Sequence, residues 1–188
     1  MEAIVLSGFS AVGKTTAAKI IADRLGLKVV GGGDILREMA EDRGYHPQGE
    51  DWWDTEEGIR FAKERDTNPD FDKEADERLV RKIAKGDIVV TSYTTPWITD
   101  KGFKVWLKGT PECRAERMTA RDKTDLQECI RVINIRDKEN IRLYKSLYNI
   151  DFGTDLRPFD LVIETDKKTP EEVAELIIKG AYMKAASR

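Results

Sequence analysis

The chain has 188 residues, of which 40% are hydrophobic and 36% are charged, and its formal net charge is -3. This length suits one domain with a single buried core, and this composition excludes a disordered chain. The acidic balance argues against a general nucleic-acid binder, because neutralising a phosphate backbone requires a basic excess.

The two cysteines, Cys113 and Cys129, follow no disulfide or metal-binding spacing, which suits a reducing compartment. We find no targeting segment and no apolar stretch of membrane-spanning length. We therefore expect a cytoplasmic protein with neither membrane nor nucleic acid among its partners, and we also expect it to be a monomer.

Short apolar segments predict a parallel sheet. Residues 3–7 indicate a strand buried on both faces, and residues 14–25 repeat apolar side chains at helical spacing before Gly26 ends the helix. Four further strands are predicted at residues 27–30, 88–90, 103–107 and 161–163. Because these strands alternate with helices, we expect a parallel α/β sheet covered on both faces.

Two helical segments interrupt this alternation. Residues 33–85 predict two or three charged helices without a strand, beginning near Ile35, Trp53 and Phe71. Residues 114–148 predict a second helical stretch that is rich in arginine and interrupted near residues 122–125. Both leave from the carboxyl ends of strands, where open α/β folds bind their ligands.

A glycine-rich loop carries the strongest chemical signal. Residues 8–15 read GFSAVGKT and match G-x-x-x-x-G-K-[ST] between a strand and a helix. In such loops backbone N–H groups point at phosphate oxygens, the lysine reaches the β- and γ-phosphates and the hydroxyl ligates Mg²⁺. We expect ATP and Mg²⁺ to bind here, with Thr15 as the metal ligand. The predicted nucleotide-binding residues are Gly8, Ser10, Ala11, Val12, Gly13, Lys14, Thr15 and Thr16.

Other segments resemble one family of nucleotide-binding proteins. No late N-K-x-D guanine loop of small GTPases is present, and the chain is shorter than most AAA-type motors. Residues 32–37 (GGDILR) resemble the G-D-x-x-R segment that opens the monophosphate-binding helices of adenylate and cytidylate kinases. Archaeal-type cytidylate kinases are also similar at residues 61–63, 72–76, 114–117, 144–151, 159–163 and 169–173.

This resemblance implies a P-loop fold, a three-layer α/β/α sandwich around five parallel strands in the order 2-3-1-4-5. It implies one domain, residues 1–188, with a core at about 1–32, 82–116 and 137–188. A monophosphate-binding insert would occupy residues 33–81 and an arginine-bearing lid residues 117–136.

The resemblance also implies roles for individual residues. Asp34 and Arg37 match the segment that binds the acceptor, and Arg117 and Arg136 match lid arginines that act with Lys14 in catalysis. Closing helices that carry arginines exclude water and compensate the charge of a phosphoryl-transfer transition state. The alternative for each lid arginine is a solvated charged helix face.

The chain departs from this family after the third strand. The family has an acidic residue followed by Gly-Arg, whereas this chain has Thr91, Ser92 and Tyr93. Two hydroxyls could orient metal-bound waters, but they do not reproduce the bidentate fork of an arginine. Several aromatic residues nearby either stack on a base or pack the insert against the core: Trp52, Trp53, Tyr93 and Trp97.

Three functions follow as hypotheses. The first is ATP-dependent phosphorylation of CMP or dCMP, which needs no general base because the acceptor phosphate is already an anionic nucleophile. The second is a kinase of another small acceptor, such as a different nucleotide or a sugar, for which Asp34 would be the general base. The third is a nucleotide-binding sensor with weak ATPase activity, against which Arg37 and the lid arginines argue.

Overall fold

Five parallel strands form one sheet at the centre of the computed structural model. The model describes residues 1–68 and 70–187, except for the side chains of residues 50, 51 and 65–67. The strand order is β2-β3-β1-β4-β5, which confirms the predicted 2-3-1-4-5 arrangement. The strands are β1 (Ile4–Ser7), β2 (Lys28–Gly31), β3 (Ile88–Thr91), β4 (Phe103–Lys108) and β5 (Leu161–Glu164).

Eight α-helices accompany the sheet in the described part of the chain. They are α1 (Lys14–Leu25), α2 (Gly32–Asp42), α3 (Glu56–Thr67), α4 (Phe71–Lys85), α5 (Thr95–Ile98), α6 (Pro111–Asp122), α7 (Leu126–Tyr148) and α8 (Pro170–Ala186). None of these helices is both long and apolar enough to cross a membrane.

The central strand β1 is buried on both faces. Val5 is paired in register with Val90 of β3 and with Lys104 of β4. Side chains alternate along a strand, so Ile4 and Leu6 face one way and pack with residues of α1 and α8. Ala3 and Val5 face the other way and pack with residues of α2 and α4. This two-sided burial explains why residues 3–6 are all apolar.

The insert differs in one detail from the sequence-based prediction. One helix was expected from Trp53 to Arg65, but the structure has a 3₁₀ helix at Glu50–Asp54 and then α3. The Thr55 hydroxyl accepts a hydrogen bond from the backbone N–H of Gly58 at 3.1 Å and so caps a new helix start. The side chain of Arg65 lies outside the described part of the chain.

The arginine-rich stretch folds as two helices, as predicted. Lys123 ends α6 in a left-handed conformation with φ 53°. The Asp125 carboxylate then accepts backbone hydrogen bonds from Gln127 at 2.8 Å and Glu128 at 3.1 Å, which starts α7. The division into core, insert and lid stays a prediction.

Candidate active site

The glycine-rich loop between β1 and α1 lines a cavity of about 740 Å³, called here the donor cavity. Gly8 has φ +142°, and a Cβ there would lie 2.4 Å from the carbonyl oxygen of Leu107, so only glycine lets the loop pass β4. The N-terminus of α1 opens on the cavity and offers free backbone N–H groups. The predicted nucleotide-binding residues that line it are Ser10, Ala11, Val12, Gly13, Lys14, Thr15 and Thr16.

Lys14 lies at the floor of this loop. Its Nζ donates hydrogen bonds to the carbonyl oxygens of Gly8 at 2.7 Å and Phe9 at 2.8 Å, and it lies 4.5 Å from the centroid of the Tyr93 ring. Burial, with help from the nearby charge of Arg114, lowers the pKa of Lys14 to about 7. The ammonium group has therefore lost much of its hydration and would gain strongly from a phosphate.

Arginines from α6 and α7 also line the donor cavity. They are Arg117, Arg121 and Arg136. Arg117 donates to the Thr165 hydroxyl at 2.9 Å, to the Thr165 carbonyl at 2.6 Å and to the carbonyl of Val12 at 3.2 Å. The structure thus brings Lys14, Arg117 and Arg136 to one cavity, although 105 residues separate Arg117 from Val12 along the chain.

A buried ion pair supports the loop from behind. Arg114 of α6 is 2% exposed, and its guanidinium binds both carboxylate oxygens of Asp137 in α7 at 2.6 and 3.1 Å. The same guanidinium donates to the carbonyl of Ser10 at 3.2 Å and lies 5.1 Å from the Phe9 ring centroid. This pair therefore joins α6 and α7 to the loop, a role that the sequence did not indicate.

A second cavity, of about 460 Å³, lies between the loop and the insert and is called here the acceptor cavity. Lys14, Thr15 and Tyr93 line both cavities. Its other lining side chains include Asp72 and Asp76, which lie one helical turn apart on α4, where residues four positions apart share a face. The site prediction from the sequence did not include these two aspartates, although their spacing of four residues on a predicted helix could have indicated them.

Comparison with known proteins identifies the family. The model of the cytidylate kinase-like family matches residues 3–167. The chain belongs to this family. The cytidylate kinase of Pyrobaculum aerophilum is 38% identical over 167 residues, which cover 88% of this chain and 84% of that relative. The cytidylate kinase of Methanopyrus kandleri is 35% identical over 185 residues, with coverage of 93% and 90%.

Solved structures show the same fold. Shikimate kinase from Acinetobacter baumannii in complex with shikimate matches 98% of this chain and 94% of its own, with a TM-score of 0.55 and 18% sequence identity. At this identity the likeness shows the P-loop kinase fold alone. Membership of the cytidylate kinase-like family makes the protein a phosphotransferase.

The two residues that match the acceptor segment of cytidylate kinases lie beside the acceptor cavity. The Asp34 carboxylate accepts a hydrogen bond from the backbone N–H of Gly31 at 2.7 Å and caps α2. Arg37 donates to the carbonyl of Pro47 at 2.7 Å, and its guanidinium lies 5.7 Å from the Trp53 ring centroid. Neither side chain is among the described residues that line the two cavities.

The segment that departs from the cytidylate kinase pattern borders the acceptor cavity. Thr91, Ser92 and Tyr93 all line it. The Ser92 hydroxyl accepts backbone hydrogen bonds from Thr94 at 3.3 Å and Thr95 at 3.1 Å, and so supports the start of α5. Its predicted role towards metal-bound water stays a hypothesis.

The four aromatic residues noted in the sequence have different surroundings. Trp52 is 3% exposed and packs inside the insert with Phe61. Trp97 packs on Trp106 in the aromatic cluster beside β4. Core packing thus accounts for these two tryptophans. Trp53 contacts the rings of Trp52 and Phe61, whereas Tyr93 lines both cavities.

Proposed function

We propose that the protein transfers the terminal phosphoryl group of ATP to a nucleoside monophosphate, CMP or dCMP. One observation supports this most directly: two cavities meet at Lys14 and Thr15, one formed with the glycine-rich loop and lid arginines and one formed with the insert. A donor and an acceptor bound in these cavities would face each other across the lysine, and such positioning supplies most of the catalysis in phosphoryl transfer.

The donor side has the groups that a nucleoside triphosphate requires. The loop N–H groups and Lys14 hold the β- and γ-phosphates, while Arg117 and Arg136 compensate the negative charge that spreads over the transferred group. These roles agree with a cavity in which the described cationic side chains surround the N-terminus of α1.

The same loop suits Mg²⁺. The Thr15 hydroxyl would hold the ion, which supplies charge neutralisation between the phosphates when bound. In the described residues no group of three or more His, Cys, Asp or Glu could hold a metal. A single hydroxyl ligand nevertheless fits Mg²⁺, because this ion takes its other ligands from phosphates and water.

On the acceptor side, Arg37 would bind the phosphate of the monophosphate after leaving the Pro47 carbonyl, and Asp34 would hold α2 in place through its cap at Gly31. The carboxylates of Asp72 and Asp76 suit the hydrogen-bond donors of a nucleoside, which are the base amino group and the ribose hydroxyls.

The charge of the acceptor cavity favours one alternative function, a kinase whose acceptor is a neutral small molecule. Of the described side chains that line it, Lys14 is the sole lysine or arginine, beside the carboxylates of Asp72 and Asp76. A neutral polyol or sugar would meet less repulsion there than a phosphate. Such an acceptor needs a general base, and Asp34 would serve only after leaving its cap.

An acceptor screen with ATP and Mg²⁺ distinguishes these functions. The panel contains CMP, dCMP, UMP and AMP together with small sugars and polyols, and ADP release is measured for each, with Lys14→Ala as the inactive control. We expect CMP or dCMP to give the highest kcat/KM. A higher value for a neutral polyol would overturn the proposal, and rapid ADP release without acceptor would favour the sensor.

The variant Arg37→Ala tests which residue binds the acceptor phosphate. If Arg37 binds the acceptor phosphate, the KM for CMP rises while the KM for ATP is unchanged, with a loss in kcat/KM that corresponds to about 1.5–3 kcal/mol. Arg37→Lys should restore this only in part, because lysine lacks the bidentate fork. An equal rise for both substrates would mean that Arg37 supports the fold.

A further inference from the structure

Tyr93 lies at the boundary between the donor and acceptor cavities and lines both. The Nζ of Lys14 is 4.5 Å from the centroid of the Tyr93 ring, and the Tyr93 hydroxyl is 3.2 Å from the Ser10 hydroxyl. One side chain from the end of β3 thus contacts the glycine-rich loop at two points, 83 residues from Ser10 in the chain.

Three parts of the chain contact Tyr93. The backbone carbonyl of Tyr93 accepts a hydrogen bond from the Ser7 hydroxyl at 3.1 Å. The ring stacks on Tyr144, with centroids 5.9 Å apart and an interplanar angle of 27°, and meets Phe152 edge-on at 6.0 Å. Contacts from β1, from α7 and from the segment after α7 therefore hold Tyr93 against Lys14.

An aromatic ring suits this place electrostatically. The π face attracts the ammonium group of Lys14 but carries no net charge. A carboxylate in the same position would neutralise the lysine and repel both phosphates. The two carbonyls of Gly8 and Phe9 are likewise uncharged. Lys14 is thus held by three neutral partners, none of which would neutralise its charge when a phosphate binds.

We propose that Tyr93 is a positioning residue for phosphoryl transfer, whose ring holds the Lys14 ammonium where the two cavities meet. This inference rests on the proposed transfer from ATP to a nucleoside monophosphate. In that transfer the bond between the terminal phosphorus and the bridging oxygen of ATP breaks, and the electron pair leaves with ADP. An oxygen of the acceptor phosphate forms the new bond to phosphorus. Lys14 stays charged and no proton is transferred.

The stack on Tyr144 extends this role to α7. Tyr144 belongs to α7, which also carries Arg136 in the donor cavity. Tyr93 therefore connects the lysine of the loop with the helix that brings an arginine to the same phosphates, and both cations are placed by one packed arrangement.

Two substitutions separate the ring from the hydroxyl. Tyr93→Phe keeps the ring and should keep most of kcat, whereas Tyr93→Leu should lower kcat about 5- to 30-fold, which corresponds to about 1–2 kcal/mol of lost cation–π interaction. The KM for CMP should be unchanged in both variants. Tyr93→Met replaces the leucine variant if that one does not fold, because methionine adapts to irregular spaces.

Phe159→Leu is the matched control. Phe159 is packed in the same aromatic cluster, against Trp97 and Trp106, and is not among the described residues lining either cavity. This variant should lose stability in urea-induced unfolding, as Tyr93→Leu does, but keep kcat. A stability loss with normal kcat in Tyr93→Leu would reduce Tyr93 to a packing residue and overturn the proposal.

Two other kinetic results would also test the role of Tyr93. Equal losses of kcat in Tyr93→Phe and Tyr93→Leu would assign the effect to the hydroxyl, and a raised KM for CMP with normal kcat would make Tyr93 an acceptor contact. Either result overturns the proposal.

A chemical readout is independent of the acceptor. The rate at which an amine-selective acylating reagent modifies Lys14, followed by mass spectrometry, should rise in Tyr93→Leu and stay at the wild-type level in Tyr93→Phe. Equal rates in all three proteins would show that the ring does not hold Lys14. Because no acceptor is needed, this result stands even if CMP proves not to be the substrate.

Discussion

Replacing Asp137 with alanine is expected to destabilise the fold strongly, because the change leaves the buried cation of Arg114 without its carboxylate. The side chain of Arg114 is 2% exposed and that of Asp137 is 16% exposed. After the substitution the guanidinium keeps the carbonyl of Ser10 at 3.2 Å and the ring of Phe9 at 5.1 Å. Neither partner carries a charge, so the desolvation of the arginine is no longer offset.

The magnitude follows from the contacts that are lost. Two charge-assisted hydrogen bonds, of 2.6 and 3.1 Å, disappear, and each contributes about 1.5–3 kcal/mol. Some water can reach the vacated position, which lowers the cost. We therefore expect the free energy of unfolding to fall by about 3–5 kcal/mol, the range for removing one partner of a buried ion pair. Asp137→Asn keeps one acceptor and should lose about half as much.

Urea-induced unfolding, with linear extrapolation to water, measures this loss. Arg131→Ala is the matched control in the same helix, because it breaks an ion pair with Glu128 whose side chains are 63% and 43% exposed. This exposed pair should contribute about 0.3–0.5 kcal/mol. A loss in Asp137→Ala no larger than that of the control would refute the assignment of a buried structural pair.

Three further predictions concern the loop. Lys14→Ala should fold normally but lose about 10³- to 10⁵-fold in kcat, and near-normal turnover would remove the loop from the mechanism. Because the pKa of Lys14 is about 7 and a bound phosphate favours the charged form, ATP binding at about pH 8 should take up close to one proton. Calorimetry in buffers of different ionisation enthalpy measures this uptake. An equal uptake in Lys14→Met would show that the proton does not bind to Lys14. Gly153 has φ +85°, and a Cβ there would lie 2.5 Å from Cζ of Phe9. Gly153→Ala should therefore lower the free energy of unfolding by about 1–3 kcal/mol. An unchanged midpoint of urea-induced unfolding would count against this packing.

The secondary structure could largely be predicted because its signals are local. The apolar run before Gly8 and the helical repeat after Lys14 lie next to each other in the sequence. The strand order came from resemblance to a family, because local patterns do not specify which strands become neighbours. The break at Thr55 was missed, although a threonine three residues before the N–H that it caps is a local signal.

Local sequence patterns alone predict the site only where it is contiguous, whereas Arg117 and Arg136 were predicted from the family resemblance. The residues of the glycine-rich loop are neighbours in the sequence, so their pattern was sufficient to predict the loop. The contacts of Tyr93 with Ser10, and of Arg114 with Asp137, join residues 83 and 23 positions apart and exist only after the sheet and lid have packed. The roles of Asp34, Arg37, Arg117 and Arg136, the monomeric state and the cytoplasmic location stay predictions.

The most direct test of the proposed function is detection of the product. Purified protein is incubated with CMP, ATP and Mg²⁺, and the nucleotides are quantified by mass spectrometry over time, with Lys14→Ala alongside. The account predicts that CDP and ADP form in equal amounts and that Lys14→Ala forms almost none. ADP formed without CDP would contradict phosphoryl transfer to the monophosphate.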